Sequence, residues 1–272
     1  MDIGIDTILN AESIDIAELA PEVENLGFES IWTGDQPTLP VKTENDIPRA
    51  WGDIPDPLIM LARASAVTET LKLGTAVYVV TERNPLTIAK EIASLDMYSK
   101  GRFIFGIGTG SIKEEAVLLN SDFEHRWTQA RESVLAMKEL WTKDESEFHG
   151  KYYDFPPVYC YPKPVSKPHP PILLGSMIDK VFGRIVNYAN GWIPIGVEPD
   201  VVQKGREMLN KMATKTNVDP NKFNITVLGV APDKNLISQF EQAGANRVTV
   251  SLKTDTKKNS IKELDQIAIK VL

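Results

Sequence analysis

The sequence predicts an α/β fold, a (β/α)₈ TIM barrel that spans residues 1–272 as a single domain. Short apolar, β-rich segments alternate with helical patterns from one end of the chain to the other. There are eight of each, and the chain of 272 residues is close to the length of about 250 residues that is typical of this barrel. A doubly wound sheet needs fewer strands, so the barrel is favoured.

The predicted strands are short runs rich in β-branched and aromatic residues. In chain order they are Asp2–Ile8, Phe28–Thr33, Lys72–Val80, Arg102–Ile107, Ile172–Leu174, Gly191–Ile195, Ile225–Val230 and Arg247–Leu252. The predicted helices show the longer apolar period of an amphipathic helix. They are Ile14–Asn25, Pro57–Glu69, Leu86–Ser99, Glu124–Trp141, Asp179–Asn190, Pro199–Thr214, Leu236–Ala243 and Ser260–Leu272.

Capping residues support several of these boundaries. Ser13 precedes the first helix as an N-cap, and Asp56-Pro57 opens the second as N-cap and first helical residue. Gly244 follows the seventh helix, where a left-handed residue commonly ends a helix.

One insertion interrupts the alternation. Residues 142–171, between the fourth helix and the fifth strand, hold seven prolines and four tyrosines. Proline removes a backbone donor and fixes φ, so this composition predicts an excursion without regular structure. We expect it at the top of the barrel.

Charge and composition exclude several classes of partner. The net charge is −7 and the basic residues are scattered, so no nucleic-acid partner is expected. No apolar run reaches the length of a membrane span, and the N-terminus does not resemble a signal peptide. The single cysteine, Cys160, suits a reducing compartment. We therefore expect a cytoplasmic protein that acts on a small molecule.

Several chemistries lack the residues they need at the strand ends, which form the active-site face of a barrel. His125, His149 and His169 all fall in the fourth helix or the insertion, so no catalytic metal is expected. A G-x-S-x-G nucleophile motif is missing. Lys253 offers the alternative of a Schiff-base lyase, although its loop position favours a solvated residue. Because few acid–base residues lie at the strand ends, we expect a bound cofactor to perform the chemistry.

Glycines follow the fourth predicted strand in GRFIFGIGTGS, residues 101–111. Gly106, Gly108 and Gly110 do not complete a dinucleotide-binding motif, because Ser111 stands where the last glycine belongs. We interpret them as removing side chains so that a planar group can approach the backbone. Residues 175–177, after the fifth strand, would present backbone N–H groups to an anion.

Longer motifs carry a resemblance that covers nearly the whole chain. RNPLTIAKEIASLDMYSKGRFIFGIGTG, residues 83–110, resembles the bacterial luciferase-like superfamily, in which R-x-P, A-K-x-x-A-x-L-D and S-x-G-R followed by G-x-G-x-G occur in this order. The similarity extends through AELAPEVENLGFESIWTGDQ, FEHRWTQARESVLAMKELWT, FHGKYYDF, KPHPPILLGS and ANGWIPIG.

This resemblance implies a luciferase-like barrel, commonly a dimer, that uses reduced FMN or the deazaflavin coenzyme F420. It implies that a β-bulge with a non-prolyl cis peptide at the end of the third strand, here Ala76-Val77, backs the flavin ring. It also implies that backbone after the fourth and fifth strands holds the phosphate. The cofactor-binding residues it implies are Asp35, Ala76, Val77, Gly108, Thr109, Gly110, Ser111, Gly175, Ser176 and Met177.

The sequence departs from the coenzyme F420 group at two positions. Asp35 and Gln36 are the candidate catalytic residues, but that group commonly has histidine where Gln36 stands, and glutamine cannot act as a general base. Its sugar-phosphate dehydrogenases carry a glutamate where this chain has Ser111. Both changes favour a reaction that needs no protein base. Trp51, in the long loop after the second strand, is a candidate substrate contact.

We therefore predict a homodimeric oxidoreductase that transfers hydride between coenzyme F420 and a small organic substrate. The first alternative is a flavin monooxygenase that depends on reduced FMN. An alternative from another class is a non-catalytic flavin-binding barrel, which the residues at positions 36 and 111 would permit.

Overall fold

The computed structural model describes residues 1–44 and 46–272, and it confirms the predicted barrel. Eight parallel strands form a closed ring in which the last strand pairs with the first. The strands are β1 (Asp2–Thr7), β2 (Ser30–Thr33), β3 (Lys72–Thr75), β4 (Tyr78–Val79), β5 (Phe103–Gly108), β6 (Glu145–His149), β7 (Asp154–Tyr159), β8 (Ile172–Leu174), β9 (Gly191–Trp192), β10 (Asn224–Val227) and β11 (Arg247–Leu252). Because β3 and β4 share one place in the ring and β6 pairs only with β7, the ring has eight members.

Helices cover the outside of the ring. They are α1 (Ile16–Asn25), α2 (Pro57–Ala66), α3 (Pro85–Tyr98), α4 (Lys113–Leu118), α5 (Arg126–Thr142), α6 (Lys180–Tyr188), α7 (Pro199–Lys215), α8 (Lys234–Gln242) and α9 (Lys257–Val271). The short α4 is a helix that the sequence pattern did not predict. Within the described residues, no helix is long and apolar enough to cross a membrane.

The caps agree only partly with the sequence prediction. Asp56 caps α2 as predicted, because its carboxylate accepts from the N–H groups of Leu58 and Ile59. Ser13, which the sequence predicted as the cap of α1, does not cap it. The cap is Asp15, two residues later, whose carboxylate accepts from the Ala17 N–H, whereas the Ser13 hydroxyl donates to the Asn10 carbonyl. Both residue types suit an N-cap, so only the local backbone path decides between them.

The third strand of the barrel is interrupted, where the apolar pattern alone predicted one continuous strand over 72–80 and the family resemblance implied a β-bulge at Ala76-Val77. Gly74 pairs with Ile104 and Tyr78 pairs with Ile107, so four residues of the third strand advance against three of β5. The extra residue is a β-bulge, a feature that re-aims side chains next to functional sites. A 3₁₀ turn over Val80–Glu82 follows β4.

A small second core fills the inside of the barrel. It consists of Trp32, Ile104, Leu173, Ile193 and Leu228, with Ala76 and Val77 packed against it. The indole of Trp32 is fully buried and lies against Gly74, where a Cβ would overlap the ring. The interior is therefore filled by side chains, and the C-terminal ends of the strands form the face on which barrels of this kind carry their active sites.

The insertion, residues 142–171, is irregular only in part: residues 160–171 hold no helix or strand, as the prolines predicted, but two strands that were not predicted precede them. β6 and β7 form an antiparallel hairpin, and the register shifts where two residues, Pro156 and Pro157, lie opposite one. Proline is tolerated at such a bulge because no ladder hydrogen bond is needed there. The hairpin leaves the bottom of the barrel after α5 and runs along that helix, and only its tip reaches the top, where Tyr153 accepts from Gln129.

Candidate functional site

The mouth of the barrel, meaning the C-terminal ends of its strands, combines an apolar rim with one polar side. Ile8, Met177 and Ile195 follow three of the strands and are 39%, 53% and 63% exposed. On the polar side, the Asp6 carboxylate accepts from the hydroxyls of Thr249 and Ser251 at 2.5 and 2.7 Å and from the Gly229 N–H at 3.2 Å. Exposed apolar side chains at the ends of several strands favour an apolar ligand.

The bulge in the third strand presents Ala76 and Val77, here called the shelf, at this mouth. The peptide bond between them is cis, as the family resemblance implied. The side chain of Val77 lies in the space that two glycines of neighbouring strands leave open. A Cβ on Gly108 would lie 2.6 Å from Val77 Cγ2, and a Cβ on Gly175 would lie 2.9 Å from Val77 Cγ1.

These contacts correct the interpretation of the glycines after the fourth strand. Gly106 lies against the Thr75 carbonyl, Gly108 against Val77 and Gly110 against the Glu82 carboxyl. Atoms of β3, of the shelf and of the turn after β4 therefore occupy the space on the Cβ side of the three glycines. The glycines bring the third strand close to the fourth and thereby support the shelf, instead of opening a space for a ligand directly.

Asp35 is held below the rim by an ion pair. Its side chain is 2% exposed and accepts from both Nη atoms of Arg83, at 2.7 and 2.9 Å, and from the Val79 N–H at 2.8 Å. The bidentate pair fixes both side chains and joins the end of β2 to the turn after β4. Burial acts to lower the pKa of Arg83, but the Asp35 carboxylate outweighs it and raises this pKa further above its usual value. The catalytic role of Asp35 stays a prediction.

Gln36 begins a segment that crosses to α4, residues 36–44, here called the strap. Gln36 Nε2 donates to Glu115 Oε1 and to the Thr38 carbonyl, both at 2.7 Å, and the Thr38 N–H donates to the same Glu115 oxygen at 2.8 Å. Glu114 accepts from the Glu44 N–H at 2.7 Å. Both N–H donors of the Gln36 amide are thereby used within the chain. The catalytic role of Gln36 stays a prediction.

Two loops at the mouth offer backbone donors. Among the described residues, the N–H groups of Gly110, Ser111 and Met177 have no hydrogen-bond partner. The Ser176 carbonyl accepts from Trp192 Nε1 at 2.8 Å, which fixes the second loop to the ring. Free N–H groups on two adjacent strand ends can hold an anion.

The remaining candidates lie apart from this geometry. Trp51 is 43% exposed in a 3₁₀ turn over Arg49–Asp53. A cavity of about 760 Å³ lies in the same loop and is lined only by residues between Leu39 and Asp53. Lys253 is exposed after the last strand. None of these residues lies among the described contacts of the shelf.

Glu82 and Glu115 are site residues that sequence reasoning did not assign a role. Both are buried, at 5% and 2% exposure, and burial raises both carboxyl pKa values, that of Glu82 to about 8. Their signal in the sequence is weak, because a glutamate in a turn or in the first turn of a helix is commonly solvated. The strap covers Glu115, and the backbone at Gly110, just after β5, packs against Glu82.

The barrel has a bulge in its third strand and glycines at its strand ends. One family model matches most of the length of the chain. The chain belongs to the luciferase-like monooxygenase family, whose model matches residues 7–231.

Individual relatives carry different chemistries. The chain is 30% identical to an uncharacterized protein of Mycobacterium tuberculosis, over 100% of this chain and 99% of that protein. It is 31% identical to an F420-dependent glucose-6-phosphate dehydrogenase of Amycolatopsis mediterranei, over 62% of this chain and 50% of the dehydrogenase. The solved structure of the monooxygenase RslO1 from Streptomyces bottropensis has the same fold, with a TM-score of 0.81 at 19% identity, covering 99% of this chain and 98% of that one.

The residues at the mouth fit a planar cofactor with an anionic tail. The shelf offers the small side chain of Ala76 and the branched one of Val77 beside an apolar rim. The N–H groups of the two loops supply donors for an anion. The acids near the shelf are neutral or already paired, which limits the repulsion of such a tail.

Proposed function

We propose that this protein is an oxidoreductase that binds coenzyme F420 at the barrel mouth and transfers hydride between it and a small organic substrate. The observation that carries the proposal is the shelf, which Gly108 and Gly175 hold at the mouth beside the exposed apolar rim. The similarity to an F420-dependent dehydrogenase supports the choice of cofactor.

The chain's own residues would bind and orient the cofactor. Ala76 and Val77 would lie against its ring, and the free N–H groups of Gly110, Ser111 and Met177 would hold its anionic tail. The bound cofactor supplies the hydride chemistry. The Asp35–Arg83 pair would keep the shelf in position, because Asp35 also accepts from the backbone N–H of Val79, two residues after the shelf. The protein thereby supplies placement more than acid–base catalysis.

Binding of two cofactors tests the proposal. The purified protein is titrated separately with coenzyme F420 and with FMN, and binding is followed by calorimetry. A panel of carbonyl and alkene acceptors is then offered with reduced coenzyme F420, whose absorbance reports its oxidation. We expect binding of coenzyme F420 and its oxidation by at least one acceptor.

The other outcomes identify the alternatives. Tight binding of FMN without binding of coenzyme F420 would replace the proposal by a flavin monooxygenase. Binding of either cofactor without turnover of any acceptor would favour a non-catalytic flavin-binding barrel.

A further inference from the structure

Glu82 is a buried acid at the mouth whose carboxyl group forms no hydrogen bond with the described residues. Its side chain belongs to the 3₁₀ turn after β4 and is 5% exposed, and both of its carboxyl oxygens lie buried without a hydrogen-bond partner in the described residues. Oε1 would lie 2.7 Å from a Cβ on Gly110, so the carboxyl is packed directly against the loop of residues 109–111. A buried carboxylate without hydrogen bonds or a counter-ion is strongly disfavoured.

The charged groups that face Glu82 do not compensate it. Arg83 is engaged by both oxygens of Asp35, from the end of β2. Glu115, from α4, is engaged by Gln36 and Thr38 of the strap. Arg83 also pairs with Asp56, the N-cap of α2, at 3.3 Å. Among the carboxyl groups of Asp35, Asp56, Glu115 and Glu82, that of Glu82 is the one without a hydrogen bond or an ion pair in the described residues.

This arrangement places a proton on Glu82 at neutral pH. Burial, followed by the nearby Glu115 and Asp35 carboxylates, raises its pKa to about 8, and the charge of Arg83 offsets only part of this. Two states of Glu82 are therefore accessible near physiological pH, one neutral and one negative. The negative state would place a charge against Gly110.

Gly110 and Ser111 carry the free N–H groups assigned above to the anionic tail of the cofactor. A carboxylate packed against this loop would repel an anion bound to it, because charges at such short range interact strongly in a poorly solvated site. Protonation of Glu82 and binding of the anion must then favour each other by the same factor.

We propose that Glu82 makes cofactor binding proton-coupled: an anionic cofactor at residues 109–111 keeps the proton on Glu82, and ionisation of Glu82 weakens the binding of that cofactor. This inference rests on the proposed function and adds a regulatory group to the same site. It assigns Glu82 a positioning role through the loop and no contact with the reacting atoms.

Calorimetric titration with coenzyme F420, and separately with FMN, tests this coupling. The titrations use two buffers of different ionisation enthalpy at pH 8, and they are repeated at pH 7 and pH 9. We expect the wild-type protein to take up about half a proton on binding at pH 8, and its affinity to fall about tenfold from pH 7 to pH 9. In Glu82→Gln, which keeps the shape of the neutral acid, we expect no uptake beyond that of the cofactor and a flatter pH profile.

Glu124→Gln is the matched control, because it removes one carboxylate near the start of α5 that is exposed and pairs only with Lys113 among the described residues. We expect it to behave as the wild type. Equal proton uptake in the wild type and Glu82→Gln, with binding intact, would overturn the role of Glu82 and leave the proposed function standing. A failure of both cofactors to bind at pH 7 would overturn the proposed function and this coupling together.

A readout without cofactor completes the test. Infrared difference spectra of the wild type between pH 7 and pH 9 are expected to show the loss of one carboxylic acid C=O band that Glu82→Gln lacks. If the spectra of the two proteins are the same, Glu82 carries no proton at pH 7 and the proposal is overturned.

Discussion

At the scale of single residues, Val77 and Glu82 occupy the space that Gly108, Gly175 and Gly110 leave open. Each glycine is needed because a neighbouring side chain approaches its backbone closely. This close packing against β5 sets the position of the shelf. A single methyl group added at one of these glycines therefore tests the packing.

Gly108→Ala is expected to destabilise the protein by about 1–3 kcal/mol, because the new Cβ would lie 2.6 Å from Val77 Cγ2 and overpack the mouth. Val77→Ala in the same chain removes both Cγ atoms and is expected to recover most of this loss. Urea unfolding of the two single variants and the double variant measures the coupling.

Gly183→Ala is the control for the glycine substitution. This glycine lies in α6, and the nearest atom to an added Cβ is Met212 Sδ at 4.0 Å. Alanine is preferred in a helix, so the control should gain up to about 1 kcal/mol. Equal stability of Gly108→Ala and the wild type would show that the shelf is not packed as described.

Glu82→Gln is expected to stabilise the protein in neutral and alkaline solution. The pKa of Glu82 is raised from 4.5 to about 8 in the folded state, so the folded protein binds more protons than the unfolded chain between these values. Wild-type stability should therefore fall between about pH 4.5 and pH 8 relative to the variant, by on the order of 3–5 kcal/mol, and the difference should be constant above pH 8. Urea unfolding at pH 5 to 9 measures this, and a constant difference across the range would refute it.

The sequence predicted the positions of the shelf and the glycines, but not how they interact. Ala76 and Val77 were placed by the resemblance to the luciferase-like family. The burial of Glu82 depends on Glu115 and Asp35, which lie 33 and 47 positions away in the chain. Such a contact has no trace in a single sequence, and a glutamate in a turn is indistinguishable from a solvated one.

At the scale of elements, ion pairs and hydrogen bonds join strands and loops that are distant in sequence. At the bottom of the barrel, Arg247 at the start of β11 is 7% exposed and pairs with Glu29 just before β2 and with Asp2 of β1. It also donates to Thr226 of β10. One guanidinium therefore connects four consecutive strands of the ring.

Glu29→Gln is expected to cost about 3–5 kcal/mol, because it breaks a buried pair and leaves the Arg247 charge partly uncompensated. Burial acts to raise the pKa of Glu29, but the Arg247 guanidinium outweighs it and lowers that pKa to about 2. Its stabilisation is therefore present above about pH 4.5 and is lost as the pH falls toward 2.

Chemical unfolding across this pH range measures the effect, and Arg63→Gln provides its control. The Arg63–Asp15 pair is about half exposed on both sides, so its loss should cost less than about 1 kcal/mol. A similar cost for the two variants would show that the Arg247 pair does not close the barrel.

The strap is held to α4 by two glutamates, which predicts where the loop opens. Glu115→Ala removes the acceptor of the Thr38 N–H and of Gln36, and Glu114→Ala removes that of the Glu44 N–H. Hydrogen exchange of the strap amides should become at least several-fold faster in either variant, because local opening no longer breaks these bonds. Exchange as slow as in the wild type would mean that other contacts hold the strap, and Glu124→Ala should leave it unchanged.

At the scale of the whole molecule, the eight-fold repeat was the strongest signal in the sequence, and the closed ring confirms it. The apolar periods of strands and helices are local signals that repeat along the chain. An error at one element boundary therefore does not change the predicted number and order of the elements. The hairpin of β6 and β7 was missed because its prolines lie at a register shift, which only pairing between strands creates. The homodimer implied by the resemblance stays a prediction.

A crystal structure of the protein with coenzyme F420 would show whether the cofactor binds at the shelf. We expect the deazaflavin ring to lie against Ala76 and Val77 at the mouth, with the anionic tail on the free N–H groups of Gly110, Ser111 and Met177. A mouth left empty under saturating cofactor, or a cofactor bound elsewhere on the barrel, would contradict it.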